Sequence, residues 1–307
     1  MTGSVNPANN SYVNRQPYIT VSEFLNSPIG ATIDTTNLVP DGNYASQTAA
    51  LQALIYMASA DADNICLGAL GTLCATLNTE QGRFRANRQG QIIVHPAYWP
   101  ILEVDSFAVG TSPSGQTVVP VSAATCWIEE RQFTIVNSGY LNTSNGPLSF
   151  GAVSTQTSAK QFCTYTYVNG WFNQFLSAGI SAGATSLTVP SYVGLYPGMS
   201  FTIWDGSMTE TVTVSPTWTQ STTVTLSSPT AFQHSQGVNV STLPASVKQA
   251  VIHLTVAAIK QRGEGGLVIA ETGEPTGVGG GKGDSSMQDL NRAKELLHSF
   301  LQVWGRT

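Results

Sequence analysis

Few residues in this chain have the types and spacing that chemistry requires. Asp61-Ala-Asp63-Asn64 has the alternating oxygen donors that open a calcium loop. Such a loop needs Gly at its sixth position and a bidentate Glu at its twelfth; Cys66 stands at the sixth and the Glu is absent, so the segment reads as a polar helix end. Thr276-Gly-Val-Gly-Gly-Gly-Lys282-Gly has the look of a phosphate loop. It lacks the first glycine, where Thr276 stands, the Ser or Thr after Lys282, and a preceding strand. The four histidines, His95, His234, His253 and His298, are scattered, with no second ligand or base at a useful spacing, and His253 reads as a satisfied core or interface residue. Glu129 and Glu130 are adjacent, so on a strand they point to opposite faces and cannot act as an acid and base pair. No Ser, Cys or Thr sits in a nucleophile motif. Arg83, Arg85 and Arg88 are the one local concentration of cations and read as a solvated turn or a salt bridge between subunits. No catalytic, cofactor or metal residue is assigned.

Composition excludes more. From Gln161 to Val247 the chain runs for 87 residues without Lys or Arg and with two carboxylates, Asp205 and Glu210. Phosphate binding needs cations, hard metals need clustered carboxylates, and acid–base catalysis needs positioned titratable groups. The whole chain of 307 residues has 10% charged residues, against roughly 25% in an ordinary soluble domain. Its 41% hydrophobic content suffices for real cores, and a net charge of −5 leaves no electrostatic footprint for nucleic acid or anionic membrane. No run of 18 apolar residues occurs, and Met1 to Gln16 is Asn-rich and polar, so neither a membrane span nor a signal peptide is expected. Cys66, Cys74, Cys126 and Cys163 are too widely spaced for a zinc knuckle and read as reduced, buried thiols.

The elements that would position these residues follow from periodicity. Thr20 with Glu23 three residues later predicts a capped short helix over Tyr18 to Leu25. Leu51, Leu54, Ile55, Ala58, Ala62 and Ile65 fall at helical spacing after Asp41-Gly-Asn43. From about Arg83 the period becomes two: Gln91–Val94, Ile101–Val104 with Phe107–Val109, Thr117–Val121, Cys126–Ile128, Phe133–Val136 and Phe162–Val168 predict a hairpin-rich antiparallel sheet. In the uncharged stretch Leu187 and Val189, then Met199, Phe201 and Ile203, then Val212 and Val214, then Val224 and Leu226, then Val238 and Val240 predict five strands with one Ser/Thr face. A small barrel or sandwich closes such strands, and their uncharged edges ask for cover.

The helix after Pro244 is apolar nearly all round, with Val247, Ala250, Val251, Leu254 and Ala258 on one stripe and Ile252, Val256 and Ile259 on another. It must be buried on two sides, and the second stripe is expected to meet another subunit. Residues 263–285 are Gly-rich and read as a linker. Beyond it Met287, Leu290, Lys294, Leu297, Leu301 and Trp304 mark an amphipathic helix. Leu290, Leu297, Phe300, Leu301 and Trp304 either dock on a partner or pack back on their own domain.

The order of these elements is similar to that of a known family. The Ala/Leu-rich helix after Asp41-Gly-Asn43, Arg83-Phe84, the hairpin Gly90-Gln-Ile-Ile-Val-His-Pro96, Trp99-Pro-Ile-Leu-Glu-Val-Asp-Ser-Phe107, Thr164-Tyr-Thr-Tyr-Val-Asn-Gly170 and Leu243-Pro-Ala-Ser-Val-Lys-Gln-Ala250 leading to Lys260-Gln-Arg-Gly263 resemble the head-to-tail connector (adaptor or head-completion) proteins of tailed bacteriophages. The resemblance covers roughly 18–107 and 162–307. It implies a structural virion protein of the head–tail neck with no enzyme activity. It also implies a homo-oligomeric, dodecameric ring between the portal protein and a stopper or tail-terminator protein, through which DNA passes unread and which assembles in the host cytoplasm. The family usually has a short connection where this chain has its neutral stretch.

The expected fold class is therefore α+β: a helical connector core with a β-hairpin or antiparallel sheet region and an inserted small all-β domain. The expected layout is a polar arm over 1–17, a core of 18–171 and 242–262, an inserted β domain over 172–241, a linker over 263–285 and a docking helix over 286–307. The competing expectation is a tail or fibre adhesin whose β-module binds host carbohydrate, with Trp171, Tyr192, Tyr196, Trp204 and Trp218 able to stack on sugar rings.

Overall fold

Thr20 starts the first helix with a reciprocal capping box: its hydroxyl accepts from the Glu23 amide, and the Glu23 carboxylate accepts from the Thr20 amide. The computed structural model describes residues 16–40, 42–67, 71–87, 90–136, 160–265 and 285–301, without side chains at 262–265 and 285. It is a mixed α+β protein with several antiparallel sheets and few helices. Two compact units share the chain: the described parts of 74–171 form one, and those of 15–73 and 172–303 form the other. The division runs along other lines than the expected one, because the amino-terminal helices group with the neutral module rather than with the following sheet.

Among its described residues the 74–171 unit holds strands and no helix. Its strands are β1 (Thr76–Phe84), β2 (Gln91–Val94), β3 (Ile101–Gly110), β4 (Gln116–Val119), β5 (Cys126–Ile128), β6 (Phe133–Val136) and β7 (Gln161–Asn169). They form an antiparallel sheet in the order β1-β7-β3-β4 and a three-stranded sheet in the order β2-β6-β5. β7 pairs with β1 in unbroken register from Thr76 opposite Asn169 to Phe84 opposite Gln161. Its pairing with β3 slips twice, between Ile101 and Glu103 and between Val104 and Ser106. Alternation along β7 sends Cys163, Tyr165 and Tyr167 to one face. There they join Ile92, Val94, Phe107, Phe133 and Ile135 in one core shared by both sheets. Tyr165 is its hub, edge-on to Phe133 and stacked with Phe107. Burying each such aromatic contributes about 1.5–3 kcal/mol.

The second unit contains α1 (Val21–Asn26), α2 (Tyr44–Leu67), β8 (Asn173–Phe175), β9 (Ser186–Thr188), β10 (Ser200–Trp204), β11 (Glu210–Thr213), β12 (Thr223–Thr225), β13 (Asn239–Ser241), α3 (Ala245–Gly265) and α4 (Ser285–Leu297). One strand lies at each of the five places where apolar residues alternate with Ser and Thr, and β8 joins them. The sheets run β11-β10-β13-β8 and β12-β9, and a single antiparallel bridge, Val214 to Leu226, joins the end of β11 to β12. Phe172, Leu187, Val189, Phe201, Ile203, Val224 and Val240 fill the space between. The other strand face pairs hydroxyls across the ladder, Ser200 with Thr213 at 2.8 Å and Thr202 with Thr211 at 3.2 Å.

α3 packs against both α2 and α4. This is how a helix apolar on two stripes is satisfied: Val256, expected to face another subunit, is 1% exposed within a single chain, while Ile252 and Ile259 remain half-buried. Among the described residues, no helix is long and apolar enough to cross a membrane.

Candidate functional site

The neutral stretch holds two carboxylates and one histidine, and folding brings all three together. Asp205 follows β10, Glu210 opens β11, and His234 lies on the segment that returns toward β13. His234 Nδ1 is 2.9 Å from Asp205 Oδ2, and Nε2 is 2.8 Å from Glu210 Oε1. The His234 side chain is 0% exposed, against 22% for Asp205 and 12% for Glu210. Its backbone is fixed too, exchanging hydrogen bonds with Ile180 in both directions. Glu210 also accepts from the Ala231 amide at 2.8 Å and the Phe232 amide at 3.1 Å.

The expectation that His234 has no partner is therefore corrected. Its partners lie 29 and 24 residues away in sequence. The spacings of local motifs do not apply where antiparallel strands fold distant residues together. An ionised carboxylate only accepts, so two of them facing one ring require both ring nitrogens to donate. Each ring nitrogen thus faces a carboxylate oxygen, and the three side chains cross-link the β10–β11 hairpin to the 231–234 segment. Burial pushes the Glu210 carboxyl up, but the Ala231 amide, His234 and the Phe232 amide outweigh it and hold the group below the usual carboxylate range. Among the described residues, no three His, Cys, Asp or Glu are placed to hold a metal ion.

Three other polar centres are also cross-links. Lys248 on α3 is buried, with Nζ donating to Glu23 Oε1 at 2.6 Å and Asn239 Oδ1 at 2.7 Å, and lying 4.6 Å from the Trp204 ring centroid. Asp289 on α4 faces His253 Nδ1 at 2.8 Å and accepts from Lys260 Nζ at 2.7 Å, pinning α4 to α3. Glu80 is buried in the β unit, where it accepts from Tyr165 Oη at 2.8 Å, Tyr167 Oη at 2.5 Å and the Ala97 amide. Burial first, and then the Glu80 charge, push both tyrosine hydroxyls well above their ordinary range.

The remaining expected residues are placed as follows. Asp63 is not part of an open polar helix end: it is buried, accepting from the Tyr18 hydroxyl and, at 2.8 Å, from the Leu73 amide. Glu129 and Glu130 sit in the turn between β5 and β6 rather than on a strand, both exposed. Arg83 and Arg85 project from the end of β1 and just beyond it, both exposed; Arg88 lies outside the described residues. His95 and His298 are exposed and His253 is buried. On α4 and the turn after it, Leu297 is fully buried in the chain's own fold, with its carbonyl 4.0 Å from Cys66 Sγ. Leu290, Phe300 and Leu301 are half-buried, and Trp304 lies outside the described residues. Of the two readings of this helix, packing on its own unit is the arrangement found.

Of the aromatic residues considered for sugar stacking, Tyr192 is exposed and the others are half-buried or buried. Trp218 is buried, with its indole N–H donating to the Thr223 carbonyl, and meets Tyr192 edge-on. Trp204 lies under the Lys248 ammonium. Trp171 and Tyr196 are both half-buried.

The exposed apolar groups went unnoticed in sequence because exposure is a tertiary property. Ile93 and Trp127 flank Thr134 on one rung of the three-stranded sheet. Tyr44, Tyr56 and Met57 are exposed on α2, and Val118 is exposed on β4, at the edge of its sheet. Comparison with known proteins finds no family model that matches the chain and no curated protein that matches it.

Proposed function

We propose that this chain is a structural virion protein, a head-to-tail connector protomer that assembles into a ring between portal and tail and lets DNA pass. The observation that carries the reading is the order of elements. A long Ala/Leu-rich helix α2 is followed by β1 with Arg83-Phe84, the β2 hairpin and β3, then by β7, and after the neutral module by α3 beginning just beyond Leu243-Pro244. That is the succession seen in the connector family, with the module standing where the family has a short connection.

Three properties support it further. The polar clusters are cross-links, which suits a part of a scaffold. The apolar groups left exposed on α2 and on the β2-β6-β5 sheet suit surfaces that neighbouring subunits or virion proteins cover. An acidic chain with few cations suits a channel that must not hold DNA. In this reading the protein works without a cofactor and without enzyme activity, and it resides in the virion neck.

Electron microscopy of the purified protein mixed with its portal tests this. An axial ring on the portal is expected, and a monodisperse monomer that ignores the portal overturns it.

A further inference from the structure

The geometry points to an acid-released latch in the neutral module: Asp205, His234 and Glu210 hold the β10–β11 hairpin to the 231–234 segment, and the hold is lost when the Glu210 carboxylate takes up a proton. From Gln161 to Val247 these are the chain's only carboxylates and its only imidazole. A stretch that avoids charge everywhere else places all three such groups at one point, with the ring fully buried between the acids.

The proton count gives the direction. With both carboxylates ionised and both ring nitrogens donating, the cluster carries one net negative charge, shared over two charge-assisted bonds. Each carboxyl that gains a proton from solvent becomes a weaker acceptor and loses its attraction for the ring. Glu210 has more to lose, because it also holds the Ala231 and Phe232 amides.

Its carboxyl is held below the ordinary range in the fold. A depressed acid stabilises fully above its unfolded value, about 4.3, and loses that contribution as pH falls through the folded value. The other charged groups near this end are Glu23 on α1, which packs against the Gly206–Met208 turn, and its partner Lys248 on α3. They form a closed pair of opposite charge and leave the latch as the module's own acid-sensitive point.

The test is amide hydrogen exchange of the full-length protein between neutral pH and about pH 3.5, corrected for intrinsic exchange. Protection across 204–211 and 231–234 should fall several-fold on acidification, while Leu187 and Val224 on the other sheet keep theirs. The Glu210→Gln variant should show the low protection already at neutral pH. Unchanged protection in wild type, or a loss spread evenly over the module, overturns the latch, and so does a Glu210→Gln protein that stays protected. None of these outcomes depends on ring assembly, so the latch and the connector reading fail separately.

Discussion

Lys248 Nζ and Glu23 Oε1 meet at 2.6 Å although 225 residues separate them in the chain. Their side chains are 5% and 12% exposed, and the same Glu23 closes the capping box of α1. One carboxylate thus caps the start of a helix and neutralises a buried ammonium, which ties α1 to α3 and, as Lys248 also donates to Asn239, to β13.

Lys248→Met should destabilise the protein by about 3–5 kcal/mol, because it leaves Glu23 buried without its cation. Adding Glu23→Gln should recover part of the loss. Urea unfolding of the two single variants and the double variant measures the coupling, and strict additivity would show that the pair is not energetically linked.

Alkaline pH should expose the Glu80 cluster. Tyr165 and Tyr167 are held well above their ordinary range by burial and by the Glu80 charge. Groups raised in the fold stabilise fully below the unfolded value, about 10, and the contribution is lost as pH rises beyond it. Ultraviolet titration should find these two hydroxyls un-ionised until the β unit unfolds. Glu80→Ala, which leaves two buried hydroxyls and the Ala97 amide short of an acceptor, should cost about 3 kcal/mol or more.

Thiol chemistry should be nearly silent in the native state. Burial pushes Cys66 and Cys163 up to about 12 and Cys126 up to about 11, with the Asp63 charge adding to the effect at Cys66. The thiolate is the reactive form. Alkylation at pH 8 followed by mass spectrometry should label these three only after denaturation, and rapid native labelling of any of them would contradict the burial described.

The two β cores should fail independently. Phe107 is buried in the core of the 74–171 unit and Phe201 in the core of the neutral module. Each Phe→Ala substitution should cost about 3–5 kcal/mol through lost burial and a residual cavity. Hydrogen exchange read by segment should show Phe107→Ala loosening only the first unit and Phe201→Ala only the second; loosening of both by either variant would refute the division.

Much of this architecture is legible in the residues themselves. Thr20 and Glu23 announce α1 because a cap is a local interaction, and the 3.6-residue period of Leu51, Leu54, Ile55 and Ala58 announces α2. The period-two runs mark the strands. What stays hidden depends on pairing at a distance. The second face of α3 belongs to α4, which lies beyond a glycine-rich stretch and whose Leu297 and Asp289 give no sign of their partner. His234 looks solitary because its acids sit on strands that only the folded sheet brings near. The rarity of charge across 161–247 was the available signal, since three isolated ionisable groups in so neutral a stretch have few partners but each other.

The second unit is built from two lengths of chain, 15–73 and 172–303, with the first unit spliced between them. Asn173 donates to the Pro17 carbonyl across 156 residues, and Lys248 must find Glu23 across still more. During synthesis, therefore, 74–171 can collapse as soon as it leaves the ribosome, whereas α1 and α2 must wait with their apolar faces open until α3 and α4 arrive. Loops of that length close slowly, and the waiting helices are the part of the nascent chain most exposed to aggregation.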